Sequence, residues 1–177
     1  MKKKLSIAVA AGLFSACCSA AGNGWNTASD LLALGLPATA AAYTAYQHDG
    51  EGGRQLLGSL AGTVGTTELL KSQISAMRPD RSDDKSFPSG HTAVAFASAR
   101  YLQKRYEQAV NPYLLYGAAG LTALARVQAD KHYWKDTVAG AALGYAWAEY
   151  FTDARSGERV SLVNQPHGLA VAWQRPW

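Results

Sequence analysis

Breakers cut this chain into segments of helical length, and that punctuation limits the fold more than any other feature. The first is QHDGEGG at 47–53, the second the proline-bounded charged loop PDRSDDKSFP at 79–88, the third Asn111-Pro112. Between them lie Ala- and Leu-rich stretches that predict helices over 31–46, 54–77, 92–106, 113–127 and 134–151. Pro37 should bend the first, and Thr27 and Ser29 are candidate caps ahead of it. The second should stop at Arg78-Pro79, because the residue before a proline avoids the helical region. Residues 159–164 and 169–173 instead alternate apolar and polar side chains around Gln165-Pro166-His167-Gly168, which predicts a short β-hairpin. The expected fold is all-α: a bundle of about five helices closed by that hairpin.

The formal charge of +4 is concentrated at the start of the chain. Lys2, Lys3 and Lys4 precede an apolar run over 5–16, and Cys18-Ser19-Ala20 offers a cleavage site before Ala21. Residues 1–20 therefore read as a secretory leader, and 21–177 as one domain. Removing the leader takes three of the seventeen Lys and Arg and none of the thirteen Asp and Glu, so the net charge falls to +1. That balance excludes a basic nucleic-acid-binding surface. Both cysteines, Cys17 and Cys18, lie in the leader, so the exported chain must hold together by packing without a disulfide. Phe14-Ser15-Ala16-Cys17 loosely resembles a lipoprotein cleavage box, which would instead leave a lipid anchor on Cys17.

A membrane-spanning helix needs about 20 largely apolar residues. The long uncharged stretches, 31–47 and 108–125, contain Pro37 and Asn111-Pro112 and are rich in Ala, Gly and Thr, which insert poorly. The expectation is a water-soluble or membrane-surface bundle.

Three segments carry chemistry. Lys71 and Arg78 stand seven residues apart, about two turns, and should project from one face near the end of the second helix. Phe87-Pro88-Ser89-Gly90-His91-Thr92 opens the third helix, so unpaired N–H groups and an imidazole would face any anion bound there. His132 and Asp136 are four residues apart, close enough for the carboxylate to hydrogen-bond the ring, with Arg126 six residues before the histidine. Taken singly each has an ordinary reading: cations favoured by a helix C-terminus, a Ser-Gly cap, and a surface ion pair contributing about 0.3–0.5 kcal/mol. Taken together they describe a phosphate site. Each cation within 4 Å of a phosphate oxygen contributes about 4 kcal/mol at an effective dielectric near 20, before desolvation. Zinc is disfavoured, since no His/Cys cluster is present and the histidines have arginines as neighbours.

The order Lys71-x6-Arg78-Pro79, then Pro88-Ser89-Gly90-His91, then Arg126-x5-His132-x3-Asp136 resembles the type 2 phosphatidic acid phosphatase (PAP2) family, whose superfamily includes class A acid phosphatases and vanadium haloperoxidases. The resemblance spans roughly residues 54–152 and departs at Ala125, where the family usually has serine. It implies a helical bundle with its site among helix ends. It further implies His132 as the nucleophile that forms a phosphohistidine, Asp136 as its orienting group, and His91 as general acid. Lys71, Arg78, Ser89, Gly90 and Arg126 would bind the phosphate, with no metal or other cofactor, and vanadate could bind as a phosphate mimic. The expected substrate is a phosphate monoester or pyrophosphate, lipid-linked, met in the periplasm or cell envelope at the membrane surface. The alternatives are a soluble acid phosphatase acting on small phosphate esters, a vanadate-dependent haloperoxidase and a non-catalytic envelope protein. The charged loop at 80–85 should lie beside the site and shape substrate access.

Overall fold

The computed structural model describes residues 24–155 and the backbone of 159–165 and 168–174. The expected leader and the Cys17 anchor lie outside the described residues. Five helices follow one another: α1 (Gly24–Tyr46), α2 (Gly50–Gln73), α3 (Gly90–Arg105), α4 (Pro112–Gln128) and α5 (Trp134–Phe151). Two strands, β1 (Arg159–Gln165) and β2 (Gly168–Gln174), pair antiparallel with Gln165 opposite Gly168. The all-α bundle and its terminal hairpin are as expected. No described helix is long and apolar enough to cross a membrane.

Composition explains why α3 occupies the centre, packed against all four other helices. Ala93, Ala95, Ala97 and Ala99 are buried on several of its faces, and Tyr101 and Leu102 fill the space near its end. Short side chains let neighbouring backbones come close. The tightest approach is to α5: a Cβ on Gly144 would lie 1.9 Å from the Ala93 carbonyl oxygen, and one on Gly140 would lie 2.4 Å from that of Ser89. Only glycine fits there.

Two boundaries differ from expectation. The glycines at 50–53 do not break the chain but form the first turn of α2. Asp49 caps that turn by accepting from the Gly52 N–H at 2.8 Å, and a Cβ on Gly52 would strike the Tyr101 hydroxyl. At its other end α2 stops at Gln73 rather than running to 77. Ile74 is extended, and the Ala76 N–H donates to the Asp84 carbonyl at 2.7 Å while the Ser86 N–H donates back to Ala76 at 2.9 Å. Arg78 therefore leaves an extended segment, not a helix face. At the start of the chain α1 begins at Gly24, so Thr27 and Ser29 are inside it rather than capping it.

Successive helices reverse direction. The starts of α1, α3 and α5 and the ends of α2 and α4 consequently meet at one end of the bundle.

Candidate active site

That shared end holds every residue the three segments nominated. Three helix N-termini there bring partial positive charge, and the two C-terminal ends contribute Lys71 and Arg126. The first N–H groups of α3, those of Gly90, His91 and Thr92, have no intrahelical partner. Lys71 closes over them, since a Cβ on Gly90 would lie 3.4 Å from its Nζ.

His132 is buried, with 2% of its surface exposed. The end of α4 sets its position: Asp130 takes a positive φ, and the backbone N–H groups of Lys131 and His132 both donate to the Arg126 carbonyl. This turn is the physical content of the six-residue Arg–His spacing. The imidazole Nδ1 lies 2.6 Å from the Ser86 carbonyl oxygen. A carbonyl only accepts, so Nδ1 carries the hydrogen and the neutral ring presents its lone pair at Nε2. The Arg78 Nη1 group stands 3.4 Å from that Nε2, a long contact that a phosphate oxygen could take over. Burial, with Arg126 and Arg78 adding to it, pushes the imidazole down to about 4, so the ring is neutral over most of the pH range.

The expected hydrogen bond between His132 and Asp136 is not present. Asp136 Oδ2 is 4.0 Å from His132 Nδ1, because Ser86 has taken the ring nitrogen. The carboxylate instead accepts from the Ser86 hydroxyl at 2.5 Å and from the Tyr133 N–H at 2.9 Å. Asp136 thus fixes Ser86, and the carbonyl of Ser86 fixes the imidazole. Its Oδ1 is buried with no hydrogen-bond partner among the described residues.

His91 is the second residue of α3. Its Nε2 is 2.9 Å from Asp30 Oδ1, and burial, Arg126 and Lys71 lower its ring below the ordinary value of 6.5 while Asp30 opposes them. Arg126 is buried beneath it and donates from Nη1 to the Ser29 hydroxyl at 3.1 Å, while its Nε has no partner among the described residues. Ala125 offers no hydroxyl, and the one that meets Arg126 comes from Ser29 on α1. Arg78 is aimed by the charged loop: Nε donates to Asp83 at 2.6 Å and Nη1 to the Lys131 carbonyl at 3.2 Å. Asp80 of the same loop pairs with Lys131. Ser89 differs from its expected part. Its hydroxyl is buried and shares a hydrogen bond with Thr92 at 3.0 Å, and its N–H donates to the Asp136 carbonyl, so it fastens the turn to α5.

Sequence reasoning did not find Ser86, Ser29 or Asp30. Adjacency to the Phe87–His91 segment was a usable signal for Ser86, whereas Ser29 was marked only as a candidate cap and nothing in spacing or pattern marked Asp30.

Gly140 holds this turn in place from α5. Gly140→Ala should push Ser89 and the Gly90 and His91 N–H groups off their positions. We expect about 1–3 kcal/mol of destabilisation in chemical denaturation. Any turnover at this site should fall by about tenfold or more, since misplacement by an ångström is costly. Wild-type activity in a correctly folded variant would contradict this role.

Two imidazoles and three basic side chains gathered at one end of a helical bundle make a site suited to holding an anion such as phosphate. The chain belongs to the PAP2 superfamily, whose family model matches residues 52–157. It is 34% identical over 82 residues to lipid A 1-phosphatase of Porphyromonas gingivalis, a stretch covering 45% of this chain and 18% of that protein. The chain therefore spans less than a fifth of the length of this relative. No solved structure gives a significant match.

Proposed function

We propose that the chain is a metal-independent phosphatase of the cell envelope that removes phosphate from a lipid-linked monoester or pyrophosphate through a phosphohistidine at His132. The observation that carries this reading is the tautomer lock: Nδ1 tied to a carbonyl at 2.6 Å leaves Nε2 as a nucleophile beside Arg78, with Arg126 also acting on the ring. The Nε2 lone pair attacks phosphorus and the ester P–O bond breaks as His91 gives its proton to the leaving oxygen. His91 then takes a proton from water, whose oxygen attacks phosphorus, breaking the P–N bond and releasing phosphate. Lys71, Arg78, Arg126 and the Gly90 N–H would hold the equatorial oxygens, supplying the charge a metal would otherwise bring. Vanadate would occupy the same cradle as a mimic.

Exposed apolar side chains favour a lipid substrate. Ile74 and Met77 precede Arg78, and Tyr133 and Trp134 follow His132, so the phosphate-handling residues are flanked by surfaces suited to a membrane interface. The lipid A phosphatase relative points the same way.

One experiment tests substrate and mechanism together: phosphate release from a detergent-dispersed lipid phosphate and from a small aryl phosphate, followed against pH. A higher kcat/KM for the lipid is expected, and preference for the aryl ester would favour the small-ester reading instead. The kcat/KM profile should be bell-shaped. Activity should rise through about pH 4, as His132 loses its proton, and fall as His91 loses its own at a pH below 6.5. A profile that stays monotonic from about pH 2 to 9 would refute this division of labour.

A further inference from the structure

Asp30 enters the site from α1, outside the segment that matches the family model. Its Oδ1 lies 2.9 Å from His91 Nε2 and 3.5 Å from Arg126 Nη1, so one carboxylate oxygen lies between the imidazole and the buried guanidinium. A carboxylate within ion-pair distance favours a hydrogen on His91 Nε2, which leaves Nδ1 as the nitrogen to exchange a proton with a substrate. The arrangement mirrors His132, where Ser86 holds Nδ1 and frees Nε2.

We propose that Asp30 is the positioning residue for His91, gripping Nε2 so that Nδ1 faces the leaving oxygen and carries the proton it needs. This inference rests on the reading of His91 as the general acid. In the step that results, Nδ1–H protonates the leaving alkoxide and the neutral ring keeps its Nε2–H on Asp30. Nδ1 then recovers a proton from the attacking water. The groups facing His91 are Asp30 from α1, Lys71 from α2 and Arg126 from α4. Among these three, Asp30 is the one anion that offsets the two cations. Without it the imidazole would lose its proton more readily, and its orientation would be free to drift.

The side chain of Asp30 is 54% exposed, so the fold should tolerate its replacement. The test compares Asp30→Asn, Asp30→Ala and Asp30→Glu in the full chain, with two readouts. The first needs no turnover: the His91 imidazole is titrated by NMR, and its midpoint should fall by about one unit or more in the Asn and Ala variants. The second is kcat/KM on an alkyl phosphate, whose leaving group needs protonation, against a nitrophenyl phosphate, whose leaving group barely does. Asp30→Asn and Asp30→Ala should lose at least about ten times more activity on the alkyl ester, with the alkaline limb moved to lower pH. Asp30→Glu should recover part of both. An unmoved His91 midpoint, or equal losses on the two esters, overturns the proposal. A wild-type protein that cleaves neither ester would sink the phosphatase reading, while the titration would still decide the Asp30–His91 coupling.

Discussion

His132→Asn is expected to lower phosphate release by about four orders of magnitude or more, the scale seen when a covalent nucleophile is removed from a site that otherwise still binds. Asparagine is the informative replacement. Its amide can still donate to the Ser86 carbonyl, which now receives a hydrogen bond at 2.6 Å, but it has no lone pair able to attack phosphorus. Alanine would leave that buried carbonyl unpaired at a cost of about 1–3 kcal/mol, mixing a folding defect into the kinetic one. Two measurements accompany the rate. Circular dichroism should show an unchanged helical bundle in the Asn variant. In the wild-type protein, rapid quenching during turnover should trap a phosphoprotein that is stable in alkali and labile in acid, as a phosphorus–nitrogen bond requires. If His132→Asn kept more than about 1% of wild-type turnover, phosphorus would be captured by some other group.

What the sequence disclosed and what it hid divide along physical lines. Local signals survived: Asn111 caps α4 by accepting from the Tyr113 N–H, and Trp134 and Phe151 bound α5 where the pattern placed them. The three motif segments were legible because their chemistry depends on residue types rather than on exact contacts. Pairing between distant segments was not legible. Residues 74–78 carry no sign that they will bond to 83–86, so helical spacing was extended too far and Lys71 and Arg78 were placed on one helix face. The same blindness misassigned the partner of His132. Four-residue spacing argued for Asp136, yet the folded loop delivers Ser86 closer, and a carbonyl at 2.6 Å excludes a carboxylate at 4.0 Å from the same hydrogen. Asp30 lies far from all three segments in the chain, and only the reversal of successive helices brings it to them.

The largest effect on stability is expected at the opposite end of the bundle, from Asp49→Ala. Asp49 receives Arg105 Nε at 2.8 Å and Nη2 at 2.8 Å, the Gly52 N–H at 2.8 Å and the Tyr106 hydroxyl at 3.0 Å. Both charged side chains are largely buried, so removing the carboxylate leaves the Arg105 Nε and Nη2 donors unpaired and also uncaps α2. Breaking such a pair costs about 3–5 kcal/mol, which lowers Tm by roughly 6–20 °C in a chain of this size. The Arg105 hydrogen bonds, followed by those of Gly52 and Tyr106, outweigh burial and hold the Asp49 carboxyl below the ordinary carboxylate range. A carboxyl lowered on folding contributes its full stability above its unfolded value, near 3.8, and loses it as pH falls from there through the folded value. The gap between wild type and variant should therefore be constant from pH 5 upward and narrow in stronger acid. Asp49 is separated from the candidate active site by the length of α3, roughly 22 Å, so the folded variant should keep wild-type kcat well below its Tm. Adding Arg105→Met should restore part of the loss, because an apolar replacement removes the stranded charge. If the single variant lost less than about 1 kcal/mol, or the double variant lost more than the single, the buried pair would not be what secures this end of the bundle.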